Sequence, residues 1–141
     1  KEYALKTFNL KIIASNKVFY DGECQSLTIP YIDGGQMGFL ANHENTVVPI
    51  ESGEMKIKTE NGKIIEAFVG DGFAEFLDNE AILVCVSAEL PEEIDARRAE
   101  EAIIRAEEEM RQKQSRLEYS VSRANISRAM ERIKVKRRHQ I

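Results

Sequence analysis

The sequence predicts an α+β protein in which an N-terminal β-sandwich or flattened barrel is followed by a C-terminal antiparallel two-helix hairpin. Three observations support this prediction. Short alternating segments separated by turn residues fill the chain up to about residue 90. Two helical periodicities come after them, and Pro91 stands between the two kinds of pattern. We therefore expect a sandwich domain at residues 1–90 and a helical domain at residues 91–141.

Turn residues divide the N-terminal part into short predicted strands. Residues 8–13 alternate between apolar and polar side chains and form the first strand. Residues 18–20 begin a second strand that Asp21-Gly22 interrupts, and residues 24–29 form another that Pro30 ends. Further strands are expected at residues 38–40, 47–50, 54–58, 63–69, 73–77 and 81–87. Many short strands with frequent turns are typical of a sandwich or flattened barrel.

The turns between these strands have their own signals. Asn61-Gly62 separates two alternating runs and predicts a two-residue hairpin. The cluster at residues 33–35, the polar loop at residues 41–45, residues 70–72 and Asp78-Asn79 are the other predicted bends. The connections are therefore short, as expected for strands that pair with their sequence neighbours.

The two cysteines, Cys24 and Cys85, lie in apolar runs that are predicted strands. Isolated cysteines in such runs are most often buried free thiols. The sequence has no CxxC motif and no Cys/His cluster, so no metal site is predicted.

The first predicted helix covers about residues 92–112. At helical spacing, its small and apolar residues Ala99, Ala102, Ala106 and Met110 form one stripe, bordered by Asp95, Arg98 and Arg105. A stripe of small side chains allows a second helix to approach closely. That partner is predicted at about residues 117–135, where Leu117, Val121, Ala124, Ala129 and Ile133 recur, with Arg128 and Arg132 four residues apart.

Charge is distributed unevenly along the chain. Residues 1–90 contain 7 basic and 14 acidic residues, whereas residues 91–141 contain 13 and 10, for a total of -4. Within the second part, residues 92–109 hold 3 basic and 8 acidic residues, and residues 110–141 hold 10 and 2. An acidic helix can therefore pair with a basic one. The alternative is that the charge run is simply a solvated face, because exposed ion pairs contribute only about 0 to 1 kcal/mol each.

The composition, 43% hydrophobic and 31% charged over 141 residues, indicates a soluble globular chain. Its apolar runs are far shorter than the roughly 18 residues that a membrane span requires. Residues 1–20 alternate like a strand and not like a signal peptide, so an intracellular location is expected.

Several motifs, taken in order, resemble the epsilon subunit of the bacterial rotary (F-type) ATP synthase. They are GQMGFLANH at residues 35–43, Gly53, GDGFAEF at residues 70–76 and SRAMERIKV at residues 127–135. The resemblance covers essentially the whole chain. One departure is Glu44-Asn45, where the family more often has a small residue followed by Pro; it concerns the shape of that loop.

The resemblance implies a subunit of the central rotor stalk with no catalytic site of its own. In that family the sandwich binds the gamma subunit and sits on the c-ring. The helical tail inhibits ATP hydrolysis when it extends into the catalytic alpha/beta head, and it permits hydrolysis when it is folded. The implied location is peripheral, at the cytoplasmic face of the bacterial plasma membrane, and the coupled ion is a proton or sodium.

A second implication is a regulatory ATP site in the folded hairpin. Residues 94–99, IDARRA, match the family pattern of Ile or Leu, Asp, two variable residues, Arg and Ala that is associated with ATP binding. Carried over by position, the implied nucleotide-binding residues are Glu89, Ile94, Asp95, Arg98, Arg105, Arg128 and Arg132. Guanidinium groups from two helices would suit phosphate oxygens, and a carboxylate such as Asp95 or Glu89 could accept from the adenine amino group.

Other interpretations remain open at this point. The same charged residues could form salt bridges within the hairpin and bind no nucleotide. The chain could be a stalk subunit without significant inhibition, or a free-standing nucleotide-sensing module, which co-purification with gamma would separate. A nucleic-acid binder is disfavoured by the pI near 5.3 and by the lack of aromatic interleaving in the basic segment. No Gly-rich phosphate loop or nucleophile-base pair supports an enzyme.

Overall fold

The structure, a computed structural model, describes residues 6–15, 17–112 and 116–139; the side chains of residues 116–120 lie outside this description. The chain divides into two compact units, Lys1–Ala88 and Glu89–Ile141. This division falls two residues before the predicted boundary at Pro91. Each unit corresponds to one of the two kinds of sequence pattern, strand-like in the first and helical in the second.

The first unit is a β-sandwich whose strands are hydrogen-bonded into one continuous sheet. Its strands are β1 (Phe8–Ala14), β2 (Lys17–Tyr31), β3 (Gly35–Leu40), β4 (Thr46–Ile50), β5 (Gly53–Thr59), β6 (Ile64–Val69), β7 (Gly72–Leu77) and β8 (Glu80–Cys85). The order is β4-β7-β8-β1-β2-β5-β6, with β3 also paired to β2. A short strand, β9 (Ala88–Glu89), follows at the boundary between the units. The predicted sandwich is confirmed.

Alternation along the strands places one face of the sheet in the core. In β1, residues 8, 10, 12 and 14 are buried, while residues 9 and 11 are exposed. Aromatic rings contribute much of the core: Phe76 packs edge-on against Phe8 at a centroid distance of 5.2 Å and stacks with Phe39 at 5.7 Å. Burial of these side chains is the main force that holds the sandwich together.

The predicted interruption of the second strand at Asp21-Gly22, and its end before Pro30, were wrong. β2 runs without a break through 15 residues, Lys17–Tyr31. Asp21 and Gly22 pair with Lys11 and Leu10 of β1, and the Tyr20 hydroxyl donates to the Glu23 carbonyl at 2.8 Å. Long-range pairing therefore overrides the local turn preference of Asp-Gly.

Pro30 is accommodated because it lies one residue from the end of β2, where a missing N–H donor matters little. Its carbonyl accepts a hydrogen bond from the Glu51 N–H at 3.2 Å. Gly53 packs closely against the ring, since a Cβ added there would lie 2.9 Å from the Pro30 Cβ. Pro30 therefore lies within β2 and does not end it.

Of the two hairpin turns, the one between β5 and β6 differs from its predicted type, and the one at Asp78-Asn79 is confirmed. Between β5 and β6, Thr59 and Lys63 pair, and Gly62 adopts a φ of 87° while Asn61 is not at positive φ. The loop is therefore three residues long and ends in a left-handed glycine, and the predicted two-residue turn at Asn61-Gly62 is wrong. Asp78 and Asn79 both have positive φ, 48° and 63°, and form the two-residue turn between β7 and β8.

Both cysteines are free and buried, as predicted. Burial raises the pKa of the Cys24 thiol to about 12 and that of the Cys85 thiol to about 11. The two thiols are therefore uncharged members of the sandwich core at physiological pH.

The second unit contains two helices, α1 (Ala96–Gln112) and α2 (Arg116–Arg138). The Arg137 guanidinium, near the end of α2, donates to Glu100 near the start of α1 at 3.3 Å. Ala99 of α1 also packs with Ala129 and Ile133 of α2. These contacts join opposite ends of the helices, so the hairpin is antiparallel, as predicted.

α1 begins four residues later than the predicted residue 92. Pro91–Glu93 form a 3-10 turn, and Ile94 is extended. Asp95 is the residue that caps the helix: its Oδ1 accepts the Arg98 N–H at 3.1 Å. The predicted start relied on Pro91 as a first helical residue, whereas that proline opens the 3-10 turn instead.

The packing stripe of α2 differs in part from the prediction. Ala129 and Ile133 are buried, but Val121 and Ala124 are exposed, and Ser122 is buried in their place. Leu117 lies outside the residues whose side chains the structure describes. The buried face of α2 thus combines Ile133 with the small residues Ser122 and Ala129. Within the described residues, no helix is long and apolar enough to cross a membrane.

Candidate functional site

A cavity of about 530 Å³ lies within the second unit, between α1, α2 and the segment that precedes α1. It is lined by Glu89, Glu93, Asp95, Arg98, Ala99, Ala102, Arg105, Ala106, Glu109, Asn125, Arg128, Ala129 and Arg132. Six of the seven predicted nucleotide-binding residues are in this lining. The sequence pattern thus identified one spatial cluster.

On α1, alanines make room for the cavity and arginines border it. Ala99 and Ala106 are buried and Ala102 is half-buried, which is the stripe expected from helical spacing. Arg98 and Arg105 are seven residues apart, about two helical turns, so both reach the same side. Among the described residues, neither guanidinium has a hydrogen-bond or ion-pair partner. Their donors are therefore available to a ligand.

On α2, the two arginines are held by neighbouring side chains. Arg132 Nε donates to Glu89 Oε1 at 3.0 Å, and both side chains are partly buried. Arg128 Nη2 donates to Asn125 Oδ1, one turn earlier on the helix. The α2 arginines are thus oriented before any ligand binds, in contrast to those of α1.

The electrostatic balance of the lining is close to neutral. Four arginines face four carboxylates, those of Glu89, Glu93, Asp95 and Glu109. One carboxylate oxygen of Asp95 caps the N-terminus of α1, and Glu89 is paired with Arg132. An anion is therefore attracted mainly by Arg98 and Arg105, and it gains further donors from the two oriented arginines of α2.

Ile94 is the predicted site residue that does not line the cavity. It is 3% exposed, and its N–H donates to the Pro91 carbonyl at 3.3 Å. Its side chain therefore has a packing role in this structure.

Sequence reasoning missed three polar lining residues, Glu93, Glu109 and Asn125. Glu109 is four residues after Arg105, and Asn125 is three residues before Arg128. Both spacings bring side chains together on a helix, so helical neighbours of the predicted arginines were the signal that could have found them.

The fold and the cavity define a class of two-domain proteins, in which a β-sandwich is followed by a helical hairpin with an arginine-lined cavity. Two family profiles match this division: "ATP synthase, Delta/Epsilon chain, beta-sandwich domain" at residues 7–91 and "ATP synthase, Delta/Epsilon chain, long alpha-helix domain" at residues 92–137. The chain belongs to the ATP synthase epsilon chain family. It is thus a central-stalk subunit of an F-type ATP synthase, rather than the catalytic subunit of that enzyme, and ATP synthesis and ion transport follow from the family.

Two relatives illustrate the similarity. The ATP synthase epsilon chain of Ruminiclostridium cellulolyticum is 38% identical over 136 residues, 96% of this chain and 100% of the relative. That of Caldanaerobacter subterraneus subsp. tengcongensis is 37% identical over 136 residues, 96% of this chain and 97% of the relative.

Solved structures share the fold at lower identity. A chain of the Euglena gracilis mitochondrial ATP synthase, in a structure that includes the c-ring, has a TM-score of 0.76 and 22% identity, covering 93% of this chain and 82% of its own. A chain in the central stalk and c-ring of the Tetrahymena thermophila mitochondrial ATP synthase has a TM-score of 0.70 and 12% identity, covering 91% and 95%. The two-part architecture is therefore found in assembled enzymes.

Proposed function

We propose that this stalk subunit binds ATP between its two C-terminal helices and thereby controls whether the hairpin inhibits ATP hydrolysis. The sandwich binds the gamma subunit and the c-ring, and the extended hairpin reaches the catalytic alpha/beta head. The subunit itself catalyses no reaction, and it is held peripherally at the cytoplasmic face of the membrane by its partners. The observation that carries the proposal is the arginine-lined cavity of the hairpin.

The cavity has the chemistry that a nucleoside triphosphate requires. Arg98 and Arg105 offer donors without partners among the described residues, and Arg128 and Arg132 present oriented guanidiniums from the opposite helix. Phosphate oxygens accept hydrogen bonds from such forks in a bidentate manner. A ligand that contacts both helices stabilises the compact hairpin, because its binding free energy is lost when the helices separate.

The remaining polar groups suit recognition of the base. Glu89 and Asp95 lie at the end of the cavity that precedes α1, and a carboxylate there can accept from an adenine amino group. The sequence lacks a Gly-rich phosphate loop, and no magnesium ligand pair is evident in it. These features favour binding of ATP as a regulatory ligand without hydrolysis.

Calorimetric titration of ATP into the isolated chain tests the site. Arg98→Ala removes guanidinium donors, so we expect ATP affinity to fall by about 10- to 100-fold, the range for hydrogen bonds to charged groups. Arg97→Ala is the matched control, because Arg97 is adjacent, exposed, paired with Glu101 at 3.1 Å and outside the cavity lining. Equal ATP affinity of wild type and Arg98→Ala would refute this site.

The charge pattern supports a hairpin that can exchange partners. α2 contacts the segment around α1 through polar bonds: Arg137 donates to Glu100 at 3.3 Å, and Lys136 Nζ donates to the Pro91 carbonyl at 3.2 Å. Each such contact is worth little in water, so an acidic surface elsewhere can compete for the basic helix. ATP bound in the cavity biases this competition toward the compact form.

Removal of residues 91–141 in the assembled enzyme tests the inhibitory role. We expect assembly to remain intact and ATP hydrolysis to rise, because the element that enters the head is gone. Unchanged hydrolysis at low ATP would favour the alternative of a stalk subunit without significant inhibition.

A further inference from the structure

Asn125 is exposed on α2, lines the cavity and lies one turn before Arg128. It does not belong to the motif that predicted the site. Its amide is bonded to Arg128, so it is positioned where that guanidinium meets the cavity. The side-chain amide of Asn125 has two polar groups, Oδ1 and Nδ2, that can each make a separate contact.

The orientation of the Asn125 amide follows from the chemistry of its partner. A guanidinium carries only donors, so the amide must turn its oxygen toward Arg128 Nη2. The amide nitrogen then points away from Arg128. Among the described residues, this nitrogen has no hydrogen-bond partner. Asn125 therefore orients the Arg128 guanidinium through Oδ1 and has its own Nδ2 available as a donor to a ligand.

We propose that Asn125 binds the phosphate chain of the nucleotide directly, with its Nδ2 group donating to a phosphate oxygen while its Oδ1 holds Arg128. This proposal rests on the proposed ATP site. An N–H donor beside a guanidinium extends a set of donors that suits an anion with several oxygens. The bond to Asn125 fixes the orientation of Arg128, and a fixed orientation lowers the entropy lost on binding.

The test compares Asn125→Ala and Asn125→Asp with wild type, using ATP and inorganic tripolyphosphate as the titrated ligands. Asn125→Asp retains the oxygen that faces Arg128 but replaces the donor by a negatively charged oxygen. Ser127→Asp is the matched control, since Ser127 is exposed, lies two residues from Asn125 on another face of α2 and is outside the cavity lining. Thermal unfolding without ligand checks that each variant folds like wild type.

We expect Asn125→Ala to weaken ATP binding by about fivefold, the loss of one hydrogen bond, and Asn125→Asp to weaken it by about 30-fold or more, because a carboxylate repels phosphate. Tripolyphosphate affinity should fall by the same factors. Ser127→Asp should change both affinities by less than about twofold, since an exposed charge on another face of the helix is screened.

Four results would overturn the inference. Wild-type affinity in Asn125→Asp would mean that only the Oδ1 contact to Arg128 matters, and wild-type affinity in all variants would mean that neither group matters. Loss of ATP affinity without loss of tripolyphosphate affinity, or failure of the wild type to bind tripolyphosphate while it binds ATP, would assign Asn125 to the base. If Arg98→Ala still weakened ATP binding by about 10-fold or more in these cases, the proposed function would stand; a wild-type chain that bound neither ligand would refute both.

Discussion

Asn79 joins three backbone segments of the sandwich. Its Oδ1 accepts the Asn42 N–H at 2.7 Å, and its Nδ2 donates to the Thr7 carbonyl at 3.0 Å. In the same turn, the Asp78 N–H donates to Asn45 Oδ1 at 2.9 Å. Asn45 thus has a defined partner, and hydrogen bonds join the loop at residues 41–45 to the β7–β8 turn.

We predict that Asn79→Ala lowers the free energy of unfolding by about 3 kcal/mol. It removes both side-chain hydrogen bonds, at about 1 kcal/mol each, and places alanine at positive φ, at about 1 kcal/mol. Asn79→Gly loses the hydrogen bonds but tolerates the backbone angle, so it should lose less. Urea unfolding of both variants measures the difference; equal losses would contradict the backbone contribution.

The two buried thiols predict a pH dependence of stability. Their folded pKa values, about 12 and about 11, exceed the ordinary thiol value of 9.0. The unfolded chain therefore releases these protons first. Their contribution to stability is fully present below pH 9 and is lost as the pH rises toward 11 to 12.

Between pH 8 and 10 we expect a loss of about 1 kcal/mol per thiol. A Cys24→Ala, Cys85→Ala double variant isolates this loss from other titrating groups. Its stability should fall less steeply with pH over that range than that of the wild type. Parallel pH profiles in urea unfolding would show that the thiols do not contribute.

Among the site residues, the sequence located those whose role depends on helical spacing. Arg98, Arg105, Arg128 and Arg132 recur at intervals that bring them to one side, and the structure places all four on the cavity. Ile94, like the other six predicted nucleotide-binding residues, was implied by the family resemblance, and it is buried outside the lining. The i, i+3 spacing to Arg128 could have indicated Asn125, but its bond to Arg128 is visible only in the structure.

At the scale of elements, α2 contains a buried residue that the sequence pattern did not indicate. Ser122 is 1% exposed, and in the part of the chain that the structure describes its hydroxyl has no hydrogen-bond partner. Burying an unsatisfied hydroxyl is unfavourable. Its small size allows close packing, but its polarity does not contribute to stability.

We therefore predict that Ser122→Ala stabilises the hairpin by about 1 kcal/mol or more. Ser127→Ala is the control, because Ser127 is exposed on the same helix and both changes alter helix propensity equally. Thermal unfolding followed by circular dichroism should show a higher midpoint for Ser122→Ala alone. Equal midpoints for the two variants would mean that the Ser122 hydroxyl is satisfied.

Strand existence was more predictable than strand extent. Alternation identified β1 and β5, where every second residue is buried. Alternation failed at Asp21-Gly22 and Pro30, because the continuity of β2 depends on its pairing with β1 and β3. Local sequence does not reveal that pairing. The same limit applies to α2, whose buried face depends on where α1 lies.

At the scale of the whole molecule, the outer face of β4, β7, β8 and β1 is unusually apolar. Pairing aligns Pro49, Phe73, Val84 and Ile13 in one row across these strands. Phe73 is 64% exposed and Val84 is 54% exposed. An exposed apolar surface of this kind is typical of a protein interface, which supports its assignment to the proposed contact with gamma.

We predict that Phe73→Glu weakens co-purification of gamma with this subunit by at least about tenfold, the usual effect of removing a central aromatic anchor. Ile64→Glu is the control, because Ile64 is 51% exposed on β6, outside the four strands of this face. Equal recovery of gamma with both variants would place the interface elsewhere.

Control of inhibition by ATP in the hairpin is tested most directly by measuring ATP hydrolysis by the assembled enzyme over a range of ATP concentrations. We expect wild type and Arg97→Ala to be inhibited at low ATP and released as ATP rises. The Arg98→Ala enzyme should remain inhibited to concentrations about 10- to 100-fold higher, in proportion to its weaker ATP binding. Identical ATP dependence in all three enzymes would contradict control by ATP in the hairpin.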